Sequence, residues 1–84
     1  MTLPPIEAQV REIIAAISRQ DLASVQVDDS LVEVLGVDSL QGLQILAAVE
    51  KRFGIRLPDE ELIRMRTIGA IVAAVAQLRQ ESVS

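Results

Sequence analysis

Apolar residues recur along most of this chain with the period of an α-helix. Ile6, Val10, Ile13 and Ile17 fall at i, i+4, i+7 and i+11 and form one stripe. Pro4 or Pro5 suits the first turn, where a missing N–H costs nothing. The spacing predicts a helix over about 5–19. A second helical pattern starts at Ser39. There Leu40, Leu43, Leu46 (or Ala47) and Phe53 share a broad inward face, with Val49 beside them, and Gly54 is a C-terminal stop. This predicts a helix over 39–53. In "IRLPDEEL", Pro58 opens a short helix at about 59–63. Thr67 is a good N-cap for a last helix, 68–80, whose stripe is Ile68, Ile71, Val72, Val75 and Leu78. The tail 81–84 reads as a frayed end.

Residues 20–38 break the pattern. They are rich in Asp and Val, and "VDDSL" offers turn and cap chemistry at Asp28 to Ser30. The segment is long for a bundle connection, where about 2–8 residues is usual. Leu31, Val34 and Leu35 give it buried anchors. A packed loop with a helical turn at 31–35, ended by Gly36, is therefore expected. Val25 to Val37 could be read as a strand, but a lone strand has no partner here. The fold class is all-α: a four-helix bundle of three longer helices and one short, with a long loop between helices 1 and 2, in one domain spanning 1–84.

Composition narrows the options. The chain has 84 residues, half of them hydrophobic, with Phe53 the sole aromatic and no Cys. A chain this size buries only about 60% of its unfolded surface. Aliphatic packing must supply the core, because disulfides and thiolate metal sites are excluded. No apolar run approaches the ~20 residues of a membrane span. The start "MTLPPIEAQ" lacks a basic region and an apolar core, so a secretory signal is not expected, and a cytoplasmic location is. Net charge is −4, against nucleic acid as a partner. The charge is uneven: residues 1–50 carry net −6 and residues 51–84 carry net +2.

"GVDSLQGLQI", residues 36–45, sets Asp38 and Ser39 side by side before an apolar run. A serine nucleophile needs a base and an oxyanion donor pair. The chain has no His, and its single Lys, Lys51, lies twelve residues on in the same helix, ~18 Å away. Asp38 is adjacent, but an ordinary carboxylate is a poor base for a hydroxyl. Intrinsic serine catalysis, and with it a small hydrolase, is therefore disfavoured. A second reading is that Asp38 or Ser39 caps the helix. A third is attachment: a hydroxyl at a helix N-terminus sits beside a partial positive charge that tolerates a phosphodiester.

The stretch "SLVEVLGVDSLQGLQILAAVEKRFGIRLPDEEL" resembles the core of the acyl carrier protein family, which includes the peptidyl carriers. The likeness runs from about Ser30 to Leu78 and more loosely over the first helix. It includes Gly36-Val37-Asp38-Ser39-Leu40, Phe53 closing the helix, Ile55-x-Leu57-Pro58 after it, and Thr67. The resemblance implies a non-catalytic carrier and a bundle of acyl-carrier type. It implies that a phosphopantetheinyl transferase moves 4′-phosphopantetheine from coenzyme A onto Ser39. Asp38 would be associated with the transferase's magnesium and with capping, and Gly36 would allow close approach. No resident metal is expected.

Partner contacts would come from Leu40, Gln41, Gln44, Ala47, Lys51 and Arg52. Leu43, Leu46, Ile63, Met65 and Ile68, with Ala47, would be a candidate acyl pocket. For Leu40 and for the pocket residues, ordinary core packing is the alternative. The implied partners are the transferase, an acyl- or aminoacyl-loading enzyme, and downstream synthase or transferase domains, all meeting a monomer.

The sequence departs from carriers of housekeeping fatty acid synthesis, whose equivalent helix is strongly acidic. Gln41 and Gln44 stand where acids are common, and over 36–53 Asp38 and Glu50 cancel Lys51 and Arg52. This points to a polyketide, nonribosomal peptide or other specialised pathway, and the starting Met favours a free-standing protein. The alternatives are a housekeeping carrier and a helical interaction module with no prosthetic group.

Overall fold

In the computed structural model, residues 5–58 and 66–83 are described. Among the described residues four helices follow one another: α1 (Ile6–Ser18), α2 (Leu31–Leu35), α3 (Ser39–Phe53) and α4 (Ile68–Val83). Among the described residues there is no strand, so the protein is all-α. The short helix expected over 59–63 lies outside the described residues, as do Ile63 and Met65.

Each boundary has a local cause. Pro5 stands at the N-cap of α1, not inside its first turn, and its carbonyl accepts from Gln9 N at 3.2 Å. α1 ends at Arg19, whose φ of 57° is left-handed. Arginine rarely adopts that conformation, so sequence gave little warning of it. α3 ends at Gly54, with φ 65°, where glycine meets no Cβ penalty. Thr67 Oγ1 caps α4 by accepting from Ala70 N at 3.1 Å. α4 continues through Val83, so the expected frayed tail over 81–83 is corrected: those residues prolong the helix.

α1 packs on both α3 and α4. Val10, Ile14, Ile45, Val49, Ile68, Ile71 and Val75 are almost wholly buried at the centre, and no polar residue is buried among the described residues. One expectation about α3 is corrected here. Its inner face is Ile45, Leu46 and Val49, with Phe53 half-buried, whereas Leu40 and Leu43 are 64% and 49% exposed. Two apolar stripes overlap at the start of this helix. The 45/46/49/53 stripe stays apolar to the last turn, while the 40/43/47 stripe runs into Lys51. The stripe that stays apolar along the helix is the one that faces the core.

The loop over 19–30 is held by polar clamps. The Arg11 guanidinium donates to the carbonyls of Leu22 and Val25 at 3.2 and 2.8 Å. Leu31 N donates to Arg66 O, and Gly69 N to Val27 O, each at 2.9 Å. These bonds fasten the loop to the start of α4. Leu22, Val25 and Leu31 then fill the core beneath it, while Val34 is exposed and anchors nothing. Leu35 takes that role, because a five-residue helix turns only one narrow face inward.

Candidate functional site

Ser39 sits where α2 hands over to α3. Ser30 Oγ caps α2 by accepting from Glu33 N at 3.4 Å. Gln20 Nε2 donates to Leu35 O at 2.7 Å and ties the end of α2 to the segment after α1. Gly36 then turns the chain with φ 67°. A Cβ there would meet nothing within 4 Å, so the positive φ alone selects glycine. Val37, 6% exposed, pins the turn to the core. That pin leaves Asp38, Ser39 and Leu40 exposed immediately after it.

The capping question has a definite answer. Asp38 is the N-cap, in an extended conformation, and its Oδ1 accepts from Gln41 N at 2.8 Å. Ser39 is the first helical residue. Among the described residues its hydroxyl has no hydrogen-bond partner. The Asp38 carboxylate is engaged with backbone and not with the serine. The arrangement presents an accessible oxygen at the positive end of a helix. A hydroxyl placed so can be modified by another protein.

A cleft of about 730 Å³ opens beside Ser39, within the ~300–1,000 Å³ usual for small-molecule sites. Val32 and Leu43 form apolar wall near its mouth, Ile45, Leu46 and Ile71 form its deeper side, and Glu33 and Arg66 supply charge. Of the residues singled out for a pocket, Leu43 and Leu46 line this cleft. Ile68 does not: it is wholly enclosed in the core, and Ile71, one turn on, faces the space instead. Ala47 is exposed and is also absent from the lining. Ile63 and Met65 fall outside the described residues. Val32 and Glu33, on α2, and Arg66, before α4, were not legible from sequence as lining residues, because they lie far apart in the chain and only the packed loop brings them to α3.

The surface residues divide plainly. Leu40, Gln44, Ala47, Lys51 and Arg52 are exposed and Gln41 is half-buried. Glu50 is not a free surface acid: its carboxylate accepts from Leu57 N at 2.6 Å and closes the turn after α3.

With this geometry in view, the family whose description is "phosphopantetheine attachment site" matches residues 8–75. The chain is 35% identical over 80 residues to an acyl carrier protein of Rhodococcus erythropolis, covering 95% of this chain and 88% of that protein. It is 32% identical over 82 residues to a meromycolate extension acyl carrier protein of Mycobacterium tuberculosis, covering 98% and 71%. An acyl carrier protein of Rickettsia bellii is 36% identical over 67 residues, covering 80% and 78%.

Proposed function

The chain belongs to the phosphopantetheine-attachment family of acyl carrier proteins, and from that premise we propose that Ser39 is its attachment residue, modified by a phosphopantetheinyl transferase. Membership implies a 4′-phosphopantetheine group and a non-catalytic carrier. When attached, the group supplies a thiol that holds an acyl chain as a thioester. The residues fit it. Ser39 is exposed at the start of α3, its hydroxyl is free of hydrogen bonds among the described residues, and the cleft opens alongside. The single observation that carries the assignment is that Asp38 caps the helix and so leaves the Ser39 oxygen available.

Each neighbour then has a task. Gly36 sets the turn, Asp38 holds the helix end, and Leu40 stands clear of the core as an apolar contact for the transferase and later enzymes. Leu43, Leu46 and Ile71 give the cargo an apolar wall, with Arg66 and Glu33 as charged flanks. Gln41, Gln44, Ala47, Lys51 and Arg52 complete the partner surface.

The pathway we favour is a specialised acyl-chain extension. Relatives named for meromycolate extension support it, and so does a helix that lacks the acidic face of housekeeping carriers. The same lack of an acidic face supports polyketide or peptide cargo as the second reading. Carrier and loading enzymes would share the cytoplasm, and no described helix is long and apolar enough to cross a membrane.

The test is intact mass after incubation with coenzyme A, magnesium and a broad-specificity phosphopantetheinyl transferase. The parent gains one phosphopantetheinyl group and Ser39→Ala gains none. A folded parent that stays unmodified by two different transferases would sink the assignment. Mass of the acyl group released with the arm from protein isolated from its native cell separates long-chain acyl from polyketide or aminoacyl cargo.

A further inference from the structure

The outward face of α3 is graded along its length. Leu40, Leu43, Gln44, Ala47 and Lys51 fall at i, i+3, i+4, i+7 and i+11, and all five are exposed. The strip therefore begins with two leucines, passes through neutral side chains and ends on a cation, over ~16 Å at the helical rise.

At the cationic end, Lys51, Arg52 and Arg56 are exposed, and among the described residues none of them is in an ion pair. Glu50, the one acid in the last turns of α3, is turned to Leu57 N. At the other end stand exposed Glu33 and Asp38.

Resting on the carrier reading above, we propose that this strip docks partner enzymes in one direction. Such a partner offers an apolar recess to Leu40 and Leu43 and a carboxylate-bearing rim to Lys51 and Arg52. Complementary charge steers encounter and fixes register, and like charge rejects wrong partners. A basic rim suited to acidic carrier helices would be repelled at the Lys51 end. An anionic membrane is the poorer occupant. A helix lying on lipid buries apolar residues along its whole length, and here the leucines and the cations are at opposite ends.

The test uses the holo protein, its arm confirmed by mass. Two acyltransferases are compared: one with a basic carrier-docking rim, and its charge-reversed variant with acidic residues at those positions. Both are first matched for activity on a free pantetheine acceptor. The parent is expected to accept acyl groups about tenfold faster from the acidic-rim enzyme at low salt, with the advantage shrinking at high salt. Lys51→Glu/Arg52→Glu inverts that preference. Leu40→Ala slows transfer from both enzymes alike. The proposal is overturned by a parent that prefers the basic rim or neither. It is equally overturned by a double variant that keeps the parent's preference, or by no transfer from either enzyme. Failure of the carrier reading shows earlier and separately, as an unmodified Ser39.

Discussion

Removing the Asp38 side chain and removing the Ser39 hydroxyl should have opposite consequences, although the residues are adjacent. Asp38 Oδ1 accepts from Gln41 N at 2.8 Å and is the side-chain cap at the start of α3. Loss of an N-cap costs about 1 kcal/mol, within a range of roughly 0.5–2. Of that, roughly 0.3–1 kcal/mol is the interaction of a negative charge with the helix dipole. Asp38→Asn keeps the acceptor and should lose only the charge part, and Asp38→Ala should lose the whole. In a domain of this size, 1 kcal/mol moves Tm by roughly 4–8 °C. Ser39 makes no side-chain hydrogen bond among the described residues and is exposed. Alanine is the better helix former by a few tenths of a kcal/mol. Ser39→Ala should therefore leave Tm unchanged or raise it slightly, while abolishing the phosphopantetheinyl mass gain. Thermal and urea unfolding followed by circular dichroism reads the first effect, and intact mass reads the second. The reasoning is refuted if Ser39→Ala loses as much stability as Asp38→Ala, because the serine would then be the cap.

Three further outcomes follow from the packing. Arg11→Met removes the donor to the Leu22 and Val25 carbonyls and should cost about 1–3 kcal/mol, with amide exchange rising across 20–30 before the helices open. Glu50→Ala leaves Leu57 N without its acceptor and should cost about 1 kcal/mol in urea unfolding, with backbone NMR shifts confined to 50–58. Ile45→Ala should cost about 2–5 kcal/mol because that side chain is 2% exposed, whereas Leu40→Ala should stay within about 0.5 kcal/mol of the parent; equal losses would mean the inner face of α3 is misassigned.

Much of this protein is written in local pattern. The helical stripes of α1 and α4, the Thr67 cap and the Gly36 and Gly54 stops depend on residues within one or two turns of each other. Backbone geometry and side-chain spacing therefore suffice to place them. The all-α class follows from the same periodicity, and the position of Asp38 and Ser39 at a helix start follows from the Gly36 turn before an apolar run.

The remainder needed the packed molecule. Two apolar stripes compete on α3, and only packing into the shared core settles that Ile45, Leu46 and Val49 go inward and leave Leu40 and Leu43 outside. Which of Asp38 and Ser39 caps is decided by the backbone there: Asp38 is extended and its carboxylate reaches Gln41 N, whereas Ser39 is already helical. The cleft joins α2, α3 and the Arg66 segment through bonds between residues far apart in sequence, such as Leu31 N to Arg66 O. Likewise, Glu50 appears in the sequence as a surface acid opposing Lys51, and only the fold turns its carboxylate to the Leu57 amide. Periodicity reports which face of a helix is apolar; it carries no information about what lies opposite, and in a bundle this small that decides both the site and the charge it shows to partners.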